Sequence, residues 1–109
     1  TADYLIGRYD NIAIIGAPTR GEFREEDQLC SARIADGLIK AGYKPRNKKT
    51  AEIIDYWKAQ LVDACTKGKS AEYLRNSGQA KDLDFIVSHI NDINNAFTVS
   101  KEEILQATI

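Results

Sequence analysis

The sequence of 109 residues predicts an all-α protein, a compact bundle of four to five helices, in which the structure of the N-terminal 20 residues is left open. Apolar residues recur at steps of three and four along most of the chain, which is the spacing of one face of an α-helix. The connections between these stretches span only about two to eight residues, as is typical of antiparallel neighbours. The predicted helices cover residues 22–41, 51–67, 71–76, 82–97 and 101–108.

Size and composition favour a single domain over residues 1–109. With 15 basic and 16 acidic residues the net charge is −1, so the overall basic excess typical of nucleic-acid binding is missing. No stretch approaches the ~18 apolar residues of a membrane-spanning helix. Cys30 and Cys65 favour buried reduced thiols in a cytoplasmic protein, and a single disulfide between them is the alternative. With one histidine in the chain, no metal site and no cofactor are predicted.

Residues 1–21 fit two kinds of structure. Leu5, Tyr9 and Ile12 follow helical spacing, whereas residues 12–15 form a short apolar run that is typical of a buried strand. No other segment is a convincing strand partner. The sequence therefore favours a short helix or an extended apolar segment that packs on the core.

The helix predicted over residues 22–41 carries signals at both ends. Acidic residues gather at its start, where the helix dipole favours negative charge. Gly37 costs a helix about 1 kcal/mol relative to alanine, which suggests a bend or a close helix crossing. Gly42 fits the left-handed position that follows a helix, and Pro45 prevents the helix from resuming.

The helix predicted over residues 51–67 places the only tryptophan on its apolar face. Thr50 is the expected N-cap, and Gly68 is expected to end the helix. Its apolar face should meet those of helices 22–41 and 82–97. The side chains expected at the centre of the bundle are Ile34, Leu38, Trp57, Leu61, Ile86 and Ile90.

The last third of the chain supplies the predicted protein interface. Apolar residues repeat over residues 83–97 as in a heptad pattern, which predicts a core helix or a seam for a second copy of the chain. Ser100 and Glu103 then match a capping box that would start a short helix. Such a helix is marginal alone, so it should dock on the core or a partner, or belong to a longer polypeptide. The predicted interface residues are Leu83, Ile86, Ile90, Ile93, Phe97, Ile104 and Leu105.

No catalytic signature survives inspection, so no catalytic residue is predicted. His89 is a single histidine with Phe85 and Asp92 within helical reach, and no nucleophile is indicated beside it. The leading hypothesis is therefore a non-enzymatic interaction module that self-associates or docks to a larger protein through an apolar helix face.

A basic connector at residues 44–49 supports the second hypothesis, a small regulatory nucleic-acid-binding protein. Its positive side chains could contact phosphates, although short charged loops between helices are often only solvated. The predicted contacts are Lys44, Arg46, Lys48 and Lys49.

A glycine loop supports the third hypothesis, a phosphate- or nucleotide-binding α/β enzyme. Gly16 and Gly21 have the spacing of the first half of a P-loop and lie between an apolar run and a helix. Glu22 and Phe23 stand where the lysine and the Ser/Thr of a P-loop belong, and a carboxylate at this position would repel phosphate. The dinucleotide fingerprint is also missing.

Overall fold

The computed structural model describes residues 1–60 and 62–107. Within these ranges it contains five α-helices, a short 3₁₀ turn at Val62–Thr66 and one two-stranded antiparallel sheet. The protein is therefore mixed α/β, and the predicted all-α class is wrong. None of the described helices has the length and hydropathy that crossing a membrane requires. The elements are α1 (Ala2–Leu5), α2 (Glu25–Lys40), α3 (Lys48–Lys58), α4 (Lys69–Asn76), α5 (Ala80–Ser88), β1 (Ala96–Ser100) and β2 (Glu103–Ala107).

Helix α2 begins later than predicted and ends as predicted. Gly42 has a φ of 105° and donates its N–H to the carbonyl of Ile39 at 3.0 Å. The next N–H, that of Tyr43, reaches back to the carbonyl of Leu38 at 3.1 Å. These two bonds form a Schellman motif, which satisfies carbonyls that the helix end leaves open.

The N-terminal segment combines both predicted structures. Helix α1 packs on α2 at Gly37, where an added Cβ would lie 3.0 Å from the Cβ of Ala2, so the predicted close crossing is confirmed. Residues 11–18 then belong to no helix or strand. The Tyr43 hydroxyl donates to the Tyr9 carbonyl at 2.6 Å and ties this segment to the end of α2.

Helix α3 differs from the prediction at both ends. Asn47, and not Thr50, is the N-cap, because its side-chain oxygen accepts the Thr50 N–H at 2.8 Å. The helix ends at Lys58. The Gln60 side chain donates to the Tyr56 carbonyl at 3.2 Å, which supplies one of the donors that a further helical turn would provide.

The chain end is a β-hairpin, and the helix predicted over residues 101–108 is wrong. Val99 pairs with Ile104 and Ser100 pairs with Glu103 across the two strands. Ser100 and Glu103, which match a capping box, would therefore be neighbours in a helix and are neighbours in the hairpin. A two-residue hairpin brings together the same positions as the first turn of a helix.

Two turns replace predicted helical backbone in this part of the chain. Lys101 and Glu102 have φ values of 47° and 69°, the type I′ geometry that suits the twist of hairpin strands. Helix α5 stops at Ser88, and Asn91 has a φ of 61°. Asparagine tolerates this left-handed conformation, and the Asn- and Asp-rich stretch that follows α5 favours turns.

The core is small. Of the described residues, seven hydrophobic ones are buried, and three of these are alanines. Of the five side chains expected at the centre that the structure describes, only Leu38 is among them. The buried residues are Leu29, Ala32, Leu38, Ile54, Ala71, Leu83 and Ala96. Trp57 and Ile34 are half-buried, Ile86 and Ile90 are exposed, and Leu61 lies outside the described residues.

Asp36 connects α2 to α3 through charge. Its carboxylate lies 2.8 Å from Lys40 Nζ and 3.2 Å from Lys58 Nζ. The hydrogen bonds from Lys40 and then Lys58 hold the pKa of Asp36 below its ordinary value.

This pair of contacts predicts a pH-dependent contribution to stability. Because the folded-state pKa of Asp36 is depressed, the contribution is present above the ordinary aspartate pKa of ~3.9 and is lost as the pH falls through the folded-state value. We expect Asp36→Asn to lower the denaturation midpoint at neutral pH and to leave it unchanged in strong acid. Urea titrations at both pH values, with the exposed Asp84→Asn as control, check this. An equal loss at both pH values would contradict it.

Candidate functional site

The chain between residues 12–15 and α2 folds into a tight loop. Thr19 and Glu22 form an isolated bridge in which the Glu22 N–H donates to the Thr19 carbonyl at 3.0 Å. Between them, Arg20 and Gly21 have φ values of 54° and 75°. Two successive positive φ values explain the glycine at this turn, because L-residues rarely adopt this conformation.

The first turn of α2 follows this loop directly. Arg24 is the N-cap residue, and no side chain caps the N–H groups of the first turn in the described ranges. A guanidinium has only donors, so Arg24 cannot accept these bonds itself. Uncapped N–H groups at the positive end of a helix dipole are a favourable place for an anion.

A small pocket of about 210 Å³ opens between the loop and this first turn. The Arg24 side chain is only 12% exposed, and its Nε is buried without a hydrogen-bond partner among the described residues. The loop backbone passes close to Asp27, since a Cβ added to Gly16 would lie 3.6 Å from the Asp27 Cβ. The pocket therefore combines one guanidinium with one carboxylate. Its lining residues are Gly16, Pro18, Phe23, Arg24, Asp27 and Gln28.

Two cations offset the charge of Glu22 beside this pocket. The Glu22 carboxylate lies 3.1 Å from Lys69 Nζ and 3.7 Å from the Arg24 guanidinium. The hydrogen bond and charge of Lys69, followed by the charge of Arg24, lower the pKa of Glu22. The repulsion of phosphate expected from this residue is therefore weakened, because its charge is shared with two positive groups.

The three acidic residues that begin α2 lie in different surroundings, as their consecutive spacing around a helix implies. The buried Glu25 Oε2 lies against Gly68, where an added Cβ would be 2.5 Å away. Glu26 lies near Cys65, whose pKa its charge helps to raise. Asp27 alone of the three lines the pocket. Accordingly, no metal-binding group of three side chains occurs in the part of the chain that the structure describes.

The two cysteines are free thiols and form no disulfide. Cys30 is exposed and Cys65 is half-buried, so the predicted burial is wrong for Cys30. Burial is the main cause that raises the pKa of the Cys65 thiol, which keeps it protonated at neutral pH and makes it a poor nucleophile. The cytoplasmic location inferred from these thiols stays a prediction.

The residues of the basic connector lie in two different places. Lys44 and Arg46 line a larger open groove between the N-terminal segment and helices α2 and α3. Lys48 and Lys49 belong to the first turn of α3, where Lys48 lies 3.8 Å from Glu52. The connector is therefore shorter than predicted, and contact of its four basic residues with nucleic acid stays a prediction.

The predicted interface residues do not share one helical seam. Leu83 is buried in α5, whereas Ile90 and Ile93 follow the end of that helix. In the hairpin, Phe97 and Ile104 lie on one face because each belongs to an alternate cross-strand pair, and the neighbouring Leu105 lies on the other. The predicted helical seam over residues 83–97 is therefore wrong. Contact of these residues with a partner stays a prediction. The exposed members of the set are Ile86, Ile90, Ile93, Phe97, Ile104 and Leu105.

His89 lies at the surface, and the Ser88 hydroxyl is 3.1 Å from its Nδ1. It is exposed just beyond α5, and its ring stacks on Phe85 with the centroids 3.9 Å apart. Its Nδ1 lies 2.7 Å from the Phe85 carbonyl. His89 is therefore a surface histidine.

Comparison with known proteins assigns a family to this arrangement. Residues 1–102 match the model of a family described as 2-phosphosulpholactate phosphatase. No curated protein and no solved structure matches the chain significantly. The family match points to an enzyme, so the preference for a non-enzymatic interaction module is wrong and a regulatory role is not supported. The third hypothesis, a phosphate-binding α/β enzyme, lies closest to the family.

Sequence reasoning missed Arg24 and Asp27 as candidate site residues. Their signal was their position directly after the glycine loop and at the start of a helix. The P-loop pattern itself fails at Glu22 and Phe23, which replace its lysine and its hydroxyl residue. In the fold, the guanidinium of Arg24 supplies positive charge beside the loop from a neighbouring position.

Proposed function

We propose that this chain, which belongs to the 2-phosphosulpholactate phosphatase family, hydrolyses a phosphate ester at the pocket between the glycine loop and α2. The match over residues 1–102 is the single observation that carries the reaction class. The place of the reaction rests on the pocket, because it joins an anion-binding helix start, a buried guanidinium and a carboxylate.

Arg24 and the first turn of α2 bind the phosphate group in this proposal. The uncapped N–H groups and the guanidinium donate to phosphate oxygens, and the guanidinium fork can make two parallel bonds. Burial of the Arg24 side chain, which is 12% exposed, strengthens these bonds because water screens them less. The buried Nε would also gain an acceptor.

Asp27 acts as the general base. In hydrolysis the oxygen of a water molecule bonds to phosphorus while the bond between phosphorus and the ester oxygen breaks. The Asp27 carboxylate takes a proton from the attacking water, and the leaving alkoxide takes a proton from solvent. Arg24 stabilises the charge on the phosphoryl oxygens as the transition state forms.

The family description also suggests the substrate class. 2-Phosphosulpholactate carries a sulfonate and a carboxylate beside its phosphate, so such a ligand is strongly anionic. Arg20 lies in the turn of the glycine loop, and Lys69 lies 3.1 Å from Glu22, whose carboxylate also contacts Arg24. We propose that Arg20 and Lys69 attract the second and third negative groups of a small phosphorylated sulfonate.

Replacement of Arg24 tests this function. We expect Arg24→Ala to reduce kcat/KM for phosphate release from 2-phosphosulpholactate about 10- to 100-fold, because a charge-assisted hydrogen bond contributes about 1.5–3 kcal/mol. Arg24→Lys should recover part of the loss, since it keeps the charge without the fork. The exposed Arg75→Ala on α4 is the matched control. A wild-type chain that releases no phosphate, or equal rates in the two alanine variants, would refute the proposal.

A further inference from the structure

We infer that the pocket between the glycine loop and α2 also takes aryl phosphates, the phosphate esters of a phenol, and that Phe23 selects them. This inference rests on the proposed function, because the phosphate group is held in the same way and only the leaving group differs. Two observations support it. One wall of the pocket is apolar, and no described side chain of its lining is left to protonate a leaving group.

The walls of the pocket differ in their chemistry. Arg24, Asp27 and Gln28 line it with polar groups, and all three lie at the start of α2. Pro18 and Phe23, which precede the helix, line it with apolar rings. The sulfonate and carboxylate of a phosphorylated sulfonate would gain nothing from these rings. A pocket with both kinds of wall suits a ligand that joins an anionic group to a flat apolar group.

Phe23 belongs to a cluster of three aromatic rings. Its ring centroid lies 5.6 Å from that of Trp57, and the Trp57 ring meets the ring of Tyr56 edge-on at 5.3 Å. Because Trp57 lies in α3, a different element of the fold supports the Phe23 ring. Phe23 is still 52% exposed, which leaves part of its ring open to a ligand. An aromatic ligand gains an offset or edge-to-face contact there that an alkyl group cannot make.

The second observation concerns the leaving group. Of the described residues that line the pocket, only Arg24 and Asp27 carry titratable side chains. The guanidinium keeps its proton, and the Asp27 carboxylate takes the proton of the attacking water. No side chain of the described lining then remains to protonate the oxygen that leaves. A phenolate needs this help least, because phenols have a pKa of about 10, as in tyrosine, whereas simple alcohols are much weaker acids.

Hydrolysis of an aryl phosphate balances in the same way as the proposed reaction. The oxygen of water bonds to phosphorus, and the bond between phosphorus and the phenolic oxygen breaks. That oxygen leaves with the electron pair as phenolate and takes a proton from solvent. Asp27 later returns the proton of the attacking water to solvent. The products are a phenol and inorganic phosphate, and water is the only co-reactant.

Binding of benzylphosphonate and propylphosphonate tests the selection by Phe23. Both ligands carry the same phosphonate group, and neither is hydrolysed because carbon replaces the ester oxygen. The fluorescence of Trp57, the only tryptophan of the chain, reports binding because its ring contacts that of Phe23. We expect the wild-type chain to bind benzylphosphonate about 10-fold more tightly than propylphosphonate.

Variants of Phe23 show whether its ring is responsible. Phe23→Ala should bring the two affinities to within about 2-fold of each other, whereas Phe23→Tyr keeps the ring and should keep the preference. Phe85→Ala is the control, since Phe85 is an exposed phenylalanine of α5 that does not line the pocket. A general weakening of the pocket cancels from the ratio of the two affinities. Equal affinities in the wild-type chain, or a preference that survives Phe23→Ala, would overturn the inference.

Rates of phosphate release separate this inference from the proposed function. We expect kcat/KM for phenyl phosphate to exceed that for ethyl phosphate about 10-fold or more, and Phe23→Ala to reduce this ratio. Release from 2-phosphosulpholactate without release from phenyl phosphate would overturn the inference alone. Release from no ester, together with an intact preference for benzylphosphonate, would overturn the proposed function and still support the selection by Phe23.

Discussion

Asp27→Asn should lower kcat for phosphate release about 10²- to 10⁴-fold, the range that a positioned general base contributes. Asparagine has nearly the same shape but cannot take the proton of the attacking water. Because Arg24 and the start of α2 are unchanged, KM should change much less than kcat. Steady-state release of phosphate from 2-phosphosulpholactate measures both constants.

The control for this variant is Asp63→Asn. Asp63 is an exposed carboxylate on the 3₁₀ turn and does not line the pocket, so its replacement should leave kcat unchanged. A wild-type rate in Asp27→Asn would remove Asp27 from the reaction.

Leu38→Ala should lower the free energy of unfolding by about 2–5 kcal/mol, the range for buried leucines. Leu38 is 5% exposed and lies in the last turn of α2. With only seven buried hydrophobic residues among those described, each large one carries a considerable share of the core. Chemical denaturation followed by far-UV circular dichroism measures the change.

Ile86→Ala is the matched comparison for this variant. Ile86 is 53% exposed, so the same loss of side chain should cost less than about 1 kcal/mol. The sequence pattern alone places both residues at the centre and predicts similar effects. Equal losses would therefore favour the helical bundle over the fold described above.

The sequence predicts α2 well because its signals are local. The left-handed glycine and the backbone bond of Tyr43 that follow the helix need no distant partner to form. The close crossing at Gly37 was also predictable, since glycine destabilises a helix and often occurs where another element packs closely against it. Helix α1, which packs against Gly37, could not be located from the sequence, because the apolar residues at the N-terminus show only a weak helical periodicity.

The hairpin was not predictable by the same reasoning. Ser100 and Glu103 suit the first turn of a helix as well as the closing pair of a two-residue turn. The turn residues Lys101 and Glu102 give no sequence signal of a hairpin, because type I′ turns usually carry asparagine, aspartate or glycine. The β-branched residues Val99 and Ile104 were the better signal, since they pair across the strands.

The candidate site was only partly predictable, because it depends on contacts between distant residues. The glycine loop and its place before a helix are visible in the sequence. The partner of Glu22, Lys69, lies at the start of α4, and only the fold brings the two within 3.1 Å. The burial of Arg24 is likewise a tertiary property, which the neighbouring residues in the sequence do not reveal.

Titration of the isotope-labelled chain with inorganic phosphate tests most directly that the loop and the start of α2 receive the phosphate group. The account predicts that the amide resonances of residues 16, 17, 19–21 and 25–28 shift saturably, and that Arg24→Ala weakens the response about 10-fold or more. Shifts confined to the basic residues 44–49, or no saturable shift at all, would contradict it.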